Sequence, residues 1–388
     1  MIIPVWIWYT FTFAVGSCIG SFLNVIIYRM PRDKSIVTPP SSCPACGKLI
    51  RFYDNIPLIS WLILAAKCRY CKAPISPRYF IIELLTGVLF IGMYILYFQQ
   101  NINSGVSLLR NAGLLIYLVH IILLSALIAS SAIDIELWII PLSICWFATA
   151  VGILASTFGV YVIDPSVIKG YFLLPSASAK TAALSAGAAI GMVISLILLA
   201  TGAIKRSYES DDTSGQTDPQ DKPQNTDEPK INHRLEMCRE MLFLMPIIIC
   251  SVAALLATQK IPALQSWWLD FSQIPAIAGL LGSLWGYFIG CGIVWCTRIF
   301  GTLAFGKEAM GLGDVHLMGA AGTIVGPVFV FIAFFVAPFF GLLWAATQMF
   351  FRKIRQIPYG PFLSLAIFIV IILHDEILNY LNFVFFHR

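Results

Sequence analysis

Charge is scarce in this sequence: Asp, Glu, Lys and Arg make up only 12% of its 388 residues, about half the share usual in soluble domains. With 59% hydrophobic residues and a mean hydropathy of +0.83, a water-soluble globular surface is excluded. The short alternating segments that a membrane β-barrel needs are missing as well. No basic stretch precedes the first apolar run; Arg29 and Arg32 follow it instead, and no small-x-small cleavage site closes it. That run therefore reads as a retained anchor rather than a secretory signal.

What the chain has instead is a series of long apolar runs. Roughly 17–25 such residues cross a bilayer, and a backbone in lipid must satisfy its own hydrogen bonds, so the runs are expected to be helices. The expected spans are 5–28, 80–98, 113–132, 138–160, 180–203, 240–258 and 275–299, then a stretch at 315–350 and a last span at 358–385. The 315–350 stretch is long for one crossing and holds Gly322, Gly326 and Pro327; it reads as a short helix, a break and a full helix. The fold class is thus an all-α polytopic membrane protein with nine or ten membrane segments and a small cytoplasmic four-cysteine domain of zinc-knuckle type.

Basic residues set the expected orientation. With the N-terminus outside, the inner loops and span ends collect Arg29, Arg32 and the cations through Arg78, then those from Lys205 to Arg239, then Arg298, Lys307, Arg352, Lys353 and Arg355. Twenty of the 25 Lys and Arg fall there; Arg110, Lys169, Lys180, Lys260 and Arg388 fall outside. This is the bias expected of cytoplasmic loops. The net charge of +5 accordingly reports topology and gives no reason to invoke nucleic acid.

Two polar segments interrupt the pattern. Residues 208–233 are rich in Asp, Ser, Gln, Pro, Asn and Lys and hold almost nothing to bury, which reads as a flexible linker. Residues 29–78 carry Cys43-Pro44-Ala45-Cys46 and Cys68-Arg69-Tyr70-Cys71. Two CxxC pairs suit a tetrahedral zinc site, in which metal binding supplies the folding energy a small loop lacks. A redox pair or reduced structural thiols are the alternatives. Cys18, Cys145, Cys238, Cys250, Cys291 and Cys296 have no mutual spacing and read as buried small side chains.

Two acids stand out at the edges of apolar runs. Asp134 ends Ser131-Ala132-Ile133-Asp134, and Asp314 closes Gly311-Leu312-Gly313-Asp314. An ionisable group at membrane depth costs about 2.5–3.5 kcal/mol on insertion scales, which makes each a functional candidate. Taken singly, Asp134 could be a solvated loop acid or helix cap, and a lone GxGD is a weak signal. Both fall on the cytoplasmic side of the expected topology, and two carboxylates point to acid–base chemistry there.

In order along the chain, these residues resemble bacterial prepilin peptidases, the type IV leader peptidases. The resemblance is carried by Gly20 through Arg32, Tyr53-Asp54-Asn55-Ile56-Pro57 with Ser60-Trp61-Leu62, and Ile75 through Tyr79 with Glu83. It continues through the Asp134 site, the Gly311–Asp314 tetrad and Ile357-Pro358-Tyr359-Gly360-Pro361-Phe362. The resemblance implies a GxGD-type membrane aspartyl endopeptidase with Asp134 and Asp314 as the catalytic pair. Gly306, Gly311 and Gly313 would offer backbone for positioning the substrate strand. The substrate class would be type IV prepilins or type II secretion pseudopilins, cut after a basic leader at the cytoplasmic face of the bacterial inner membrane.

The resemblance also implies N-methylation of the new terminus from S-adenosylmethionine. No glycine-rich strand–turn–helix signature for that cofactor is visible, so its binding residues stay unassigned. Ala65-Ala66-Lys67 replaces the family's common Gly-Lys without removing a cysteine; Asp54 and Glu83 follow the family pattern, and a structural role, such as pairing with Arg29 or Arg78, stands beside a catalytic one as an open reading. The domain division that follows is 1–28, an N-terminal helix; 29–79, the cysteine domain; 80–179, membrane core with Asp134; 180–272, an inserted two-helix segment with linker 204–236; and 273–388, membrane core with the tetrad. Two other function classes are open to a polytopic chain with such acids. One is a transporter coupling ions through acids near a broken helix, with zinc as regulator; the other is a non-catalytic scaffold of a pilus machine.

Overall fold

The computed structural model describes residues 4–103, 113–205, 207, 233–351 and 358–386. Arg110, Arg206, Lys222, Lys230, Arg352, Lys353, Arg355, Ile357, Arg388 and most of the 204–236 linker lie outside the described residues. The chain runs α1 (Val5–Arg29), α2 (Ile59–Ile63), α3 (Pro77–Phe98), α4 (Leu114–Leu137), α5 (Leu142–Gly159), α6 (Pro165–Tyr171) and α7 (Ala179–Ala200). It continues with α8 (His233–Lys260), α9 (Pro262–Gln273), α10 (Pro275–Phe305), α11 (Leu312–Val325), α12 (Pro327–Phe351), α13 (Gly360–Ile372) and α14 (His374–Phe386). Among the described residues there is no strand, only the isolated bridges Ser42–Leu49 and Lys67–Pro74. Among the described residues, eight helices are long and apolar enough to cross a membrane, and a ninth span forms if the bent pair α13–α14 is taken as one.

Proline placement explains much of the punctuation. α3, α6, α9, α10 and α12 each begin on a proline, at the position where the missing N–H would have had no helical acceptor. Ser76 and Asp164 cap α3 and α6 through their side chains, and Ser178 with Thr181 forms a reciprocal capping box on α7. The break expected in 315–350 falls at Gly326-Pro327, where Gly326 takes φ +86° and Pro327 opens α12.

Close packing of the centre depends on small residues. A Cβ on Gly286 of α10 would overlap the carbonyl of Gly322 on α11, and one on Gly290 would overlap that of Met318. One on Gly152 of α5 would meet the side chain of Thr323. Backbones approach this closely where apolar lipid offers little hydrophobic drive and helix association rests on contact and hydrogen bonding. α11 is consequently buried along most of its length.

The expected last span, 358–385, is instead two helices bent by 74°. His374, Asp375 and Glu376 are polar where an uninterrupted helix would continue, and the turn places them at an end of the bundle. There His374 accepts or donates a 2.9 Å hydrogen bond with Asp375 and stacks on Phe329 at 4.5 Å. The expected two helices of 180–272 are three: α9 is a short helix rich in aromatics, with the Trp268 indole donating to the Ala179 carbonyl at 2.9 Å. Its Trp267 and Trp268 suit a membrane–water interface. Arg298, expected among the cations of the inner loops and span ends, lies inside α10 and is fully buried.

Candidate active site and cysteine cluster

Three helix ends meet at the carboxylates. Asp134 lies in the last turn of α4, which stops where Trp138 takes the left-handed conformation at φ +60°. Asp314 lies in the first turn of α11, behind the N-cap Gly311. α13 starts at Gly360, whose N–H donates to Oδ2 of Asp134 at 3.0 Å. Both acids are buried, at 7% and 8% exposure, although they sit at the ends of their helices.

Ile140 measures how tightly these ends converge. A Cβ built on Gly313 would lie 2.7 Å from Cβ of Ile140, and one built on Gly360 would lie 3.2 Å from its Cδ1 and 2.7 Å from Oδ2 of Asp134. One isoleucine thus bridges the tetrad and the backbone donor of the other acid. Asp134 and Asp314 fall within electrostatic reach of one another, as do Asp314 and Tyr359. The buried Oδ1 of Asp314 has no hydrogen-bond partner among the described residues.

The glycines are there for different reasons. Gly311 is extended, with φ −72° and ψ 149°, and Gly313 is helical, so neither needs a left-handed backbone. Gly313 is required by its contact with Ile140; Gly306 alone of the three adopts positive φ, +64°, where α10 ends. Gly360 lets a backbone N–H reach the Asp134 carboxylate. Gly360→Ala is therefore expected to displace Asp134, because the added methyl would lie 2.7 Å from its Oδ2. Hydrogen exchange at residues 131–138 and 359–363 with a circular-dichroism control checks it, and unchanged exchange there would contradict this role.

The four cysteines also come together. Sγ atoms of Cys43, Cys46, Cys68 and Cys71 all lie within 4.8 Å of one another, and those of Cys43 and Cys71 are 3.8 Å apart. Zinc–sulfur bonds of about 2.3 Å place tetrahedral sulfurs about 3.8 Å apart, so the donor set fits zinc. The same small hairpin is used twice. Cys43 N–H donates to Lys48 O and Gly47 N–H to Cys43 O; Cys68 N–H donates to Ala73 O and Lys72 N–H to Cys68 O. The residue after each second cysteine is left-handed, Gly47 at φ +69° and Lys72 at φ +58°. Backbone N–H groups of Cys71 and Tyr70 aimed at the Cys68 sulfur push its thiol down to about 6, which favours the thiolate that binds metal.

Other motif residues turn out to be struts. Asp54 pairs with Arg69 at 2.5 and 2.7 Å, not with Arg29 or Arg78. Glu83 of α3 accepts the Leu58 N–H at 2.7 Å, Asn24 of α1 donates to Tyr79 O at 3.0 Å, and Arg78 pairs with Glu136, two residues beyond Asp134. The Leu58–Glu83 contact fastens the cysteine domain to α3, and the Arg78–Glu136 pair ties the start of α3 to the end of α4 beside Asp134.

The Asp54–Arg69 pair has a pH signature. Hydrogen bonds from Arg69 hold the Asp54 carboxyl below its usual range. A depressed carboxyl stabilises the folded state fully above its unfolded pKa, about 3.9, and that contribution disappears as pH falls through the lower folded value. Asp54→Asn should therefore weaken the cysteine domain at neutral pH, the gap from wild type closing in acid. Hydrogen exchange of residues 43–74 at several pH values checks this; a gap that widens in acid would contradict it.

Sequence reasoning missed Arg298, Glu240 and Glu308. Arg298 Nε lies 3.0 and 3.1 Å from the two carboxylate oxygens of Glu240 on α8, and its Nη1 lies 2.6 Å from Glu308. The signal in the sequence is a lone arginine near the end of an apolar run, a pattern that a loop cation shares.

Comparison with known proteins gives two family matches. Residues 14–97 match the bacterial peptidase A24 N-terminal domain, and residues 242–346 match the type IV leader peptidase family. The first spans α1 to α3 with the cysteine domain between; the second holds Asp314, while Asp134 lies outside both. Several relatives carry the name prepilin leader peptidase/N-methyltransferase, three of them as follows. The one from Myxococcus xanthus is 47% identical over 134 residues, 34% of this chain and 36% of the relative. That from Stutzerimonas stutzeri is 34% identical over 38% of this chain and 54% of the relative, and that from Pseudomonas aeruginosa is 32% identical over 42% and 59%. In each case the match spans less than two thirds of the relative's own length. No solved structure matches the chain significantly. The chain thus resembles bacterial A24 peptidases over its first match and the type IV leader peptidase family over its second.

Proposed function

We propose that this protein is a prepilin peptidase that removes the basic leader of type IV prepilins or type II pseudopilins by a two-aspartate mechanism. The observation that carries the reading is the convergence of Asp134 and Asp314 at three helix ends, with a buried Asp314 oxygen left without a partner among the described residues. The family matches and the names of the relatives support the substrate class. The site faces the cytoplasm of a bacterial inner membrane, with the N-terminus outside, as the distribution of Lys and Arg favours.

The chemistry follows from the charges. Two close carboxylates resist ionising together, so they share one proton and titrate as a couple. The ionised carboxylate takes a proton from water as the water oxygen bonds to the scissile carbonyl carbon, and the protonated partner donates to the carbonyl oxygen. The resulting gem-diol collapses as one hydroxyl proton returns to a carboxylate and the other acid protonates the leaving nitrogen. The C–N bond then breaks, releasing a carboxyl terminus on the leader and a free amine on the pilin, and the pair again holds one proton. Such acid–base help contributes about 10²–10⁴-fold.

The scissile bond must be extended to be attacked, because a helix shields its own peptide groups. Gly306 and Gly311 would offer backbone to such a strand, and Gly313, packed against Ile140, would position it by setting the start of α11. The pilin's apolar segment stays among the lipids, and its basic leader stays in water. Zinc held by Cys43, Cys46, Cys68 and Cys71 has a structural role, ordering the domain beside the acids. N-methylation from S-adenosylmethionine is the second activity, in line with the relatives' names. Mass spectrometry of a co-expressed prepilin tests both in one spectrum. Loss of the leader together with one added methyl group is expected, and an intact leader would sink the peptidase reading.

A further inference from the structure

The loop that presents Asp314 is held in place from α8. Arg298 sits in α10 with a side chain that is 0% exposed, and its guanidinium is used on both edges. Nε faces Glu240 of α8, itself 3% exposed, whose Oε2 also accepts the Trp295 indole N–H at 2.8 Å. Nη1 faces Glu308 and the carbonyl of Met310. Met310 immediately precedes Gly311-Leu312-Gly313-Asp314. The Glu308 side chain is 47% exposed, which leaves Glu240 as the anchor protected from water.

We propose that Glu240 and Arg298 are positioning residues for the aspartate loop, so that α8 sets the placement of Asp314 without touching the reacting atoms. A rigid planar fork suits that role, because once Glu240 and Trp295 fix one edge, the direction of the other edge and of the Met310 carbonyl is fixed with it. A lysine has no such fork. Thr302 supplies a separate tie, its hydroxyl accepting the Ala309 N–H at 3.1 Å and its carbonyl the Gly306 N–H at 2.9 Å. Loss of the arginine link therefore loosens the loop without releasing it.

A buried ion pair replaced by apolar side chains of similar size is often no less stable, whereas deleting one partner strands the other charge. The pair Glu240→Leu/Arg298→Met therefore separates positioning from simple packing, and Glu240→Gln decides the matter alone if the double variant does not fold. Hydrogen exchange of residues 306–313 in full-length protein is the first readout. Cleavage of a synthetic peptide with a basic leader, a glycine and an apolar segment is the second. Exchange in that loop is expected to quicken roughly tenfold or more while the middles of α8 and α10 keep their protection. Because the effect is on alignment, kcat should fall about tenfold with KM changed by less than about twofold. Wild-type exchange in the loop of a folded variant would overturn the proposal. The kinetic arm rests on the peptidase reading and the exchange arm does not: a wild-type protein that cleaves no such peptide defeats that reading, and loop exchange still decides this one.

Discussion

Replacing either Asp134 or Asp314 by asparagine is expected to reduce cleavage of a prepilin by about 10²–10⁴-fold, the range that acid–base catalysis supplies. Asparagine keeps the shape of the side chain and cannot ionise, so it can neither take the proton from water nor return one. The Asp134 carboxylate accepts the Gly360 N–H at 3.0 Å, a bond that an asparagine oxygen can still accept. Helix content and thermal stability should consequently stay near wild type, and the loss should appear in kcat with little change in KM. A well-folded Asp314→Asn protein that cleaves at close to the wild-type rate would remove the basis of the mechanism.

Loss of the zinc proposed for the cysteine cluster is expected to have the second large effect. The segment between α1 and α3 has two isolated bridges, short helical turns and few buried apolar residues apart from Cys43 and Cys68. It has little core of its own. Structural zinc contributes an apparent 10–16 kcal/mol at about neutral pH in comparable small sites, far more than the surface pairs of this domain can replace. Chelation, or Cys43→Ser with Cys68→Ser, should abolish zinc binding and leave residues 43–74 exchanging as unfolded chain, with the membrane helices protected. Elemental analysis and hydrogen exchange read both; a domain that stays protected without metal would show that the thiols alone hold it.

The parts of this fold that were legible in the sequence are those that the bilayer or the metal dictates. Lipid demands long uninterrupted apolar helices, so the spans around α1, α3, α4, α5, α7, α8, α10 and α12 could be read directly. Gly326-Pro327 marked its own break, and two CxxC pairs marked a cluster that the structure brings within 4.8 Å. What could not be read depends on tertiary neighbours. The 74° turn before α14 comes from polar His374 and Asp375 at the bundle end, and α9 is too short to register as a crossing. Arg298 looked like a loop cation because its counter-charge, Glu240, sits on a helix distant in sequence. Gly313 looked like flexible backbone, but its packing against Ile140 supplies a steric reason for glycine. The Gly360 N–H that reaches Asp134 could not be assigned from the sequence, because a backbone donor leaves no side-chain signature.

The most direct test of the carboxylate pair is a double-mutant cycle on single-turnover cleavage of a prepilin, using Asp134→Asn, Asp314→Asn and the two together. Groups that act as one unit lose their function once. The double variant is expected to be no slower than either single variant, all three lying near the same residual rate. Losses that multiply, or a single variant that retains near wild-type cleavage, would contradict it.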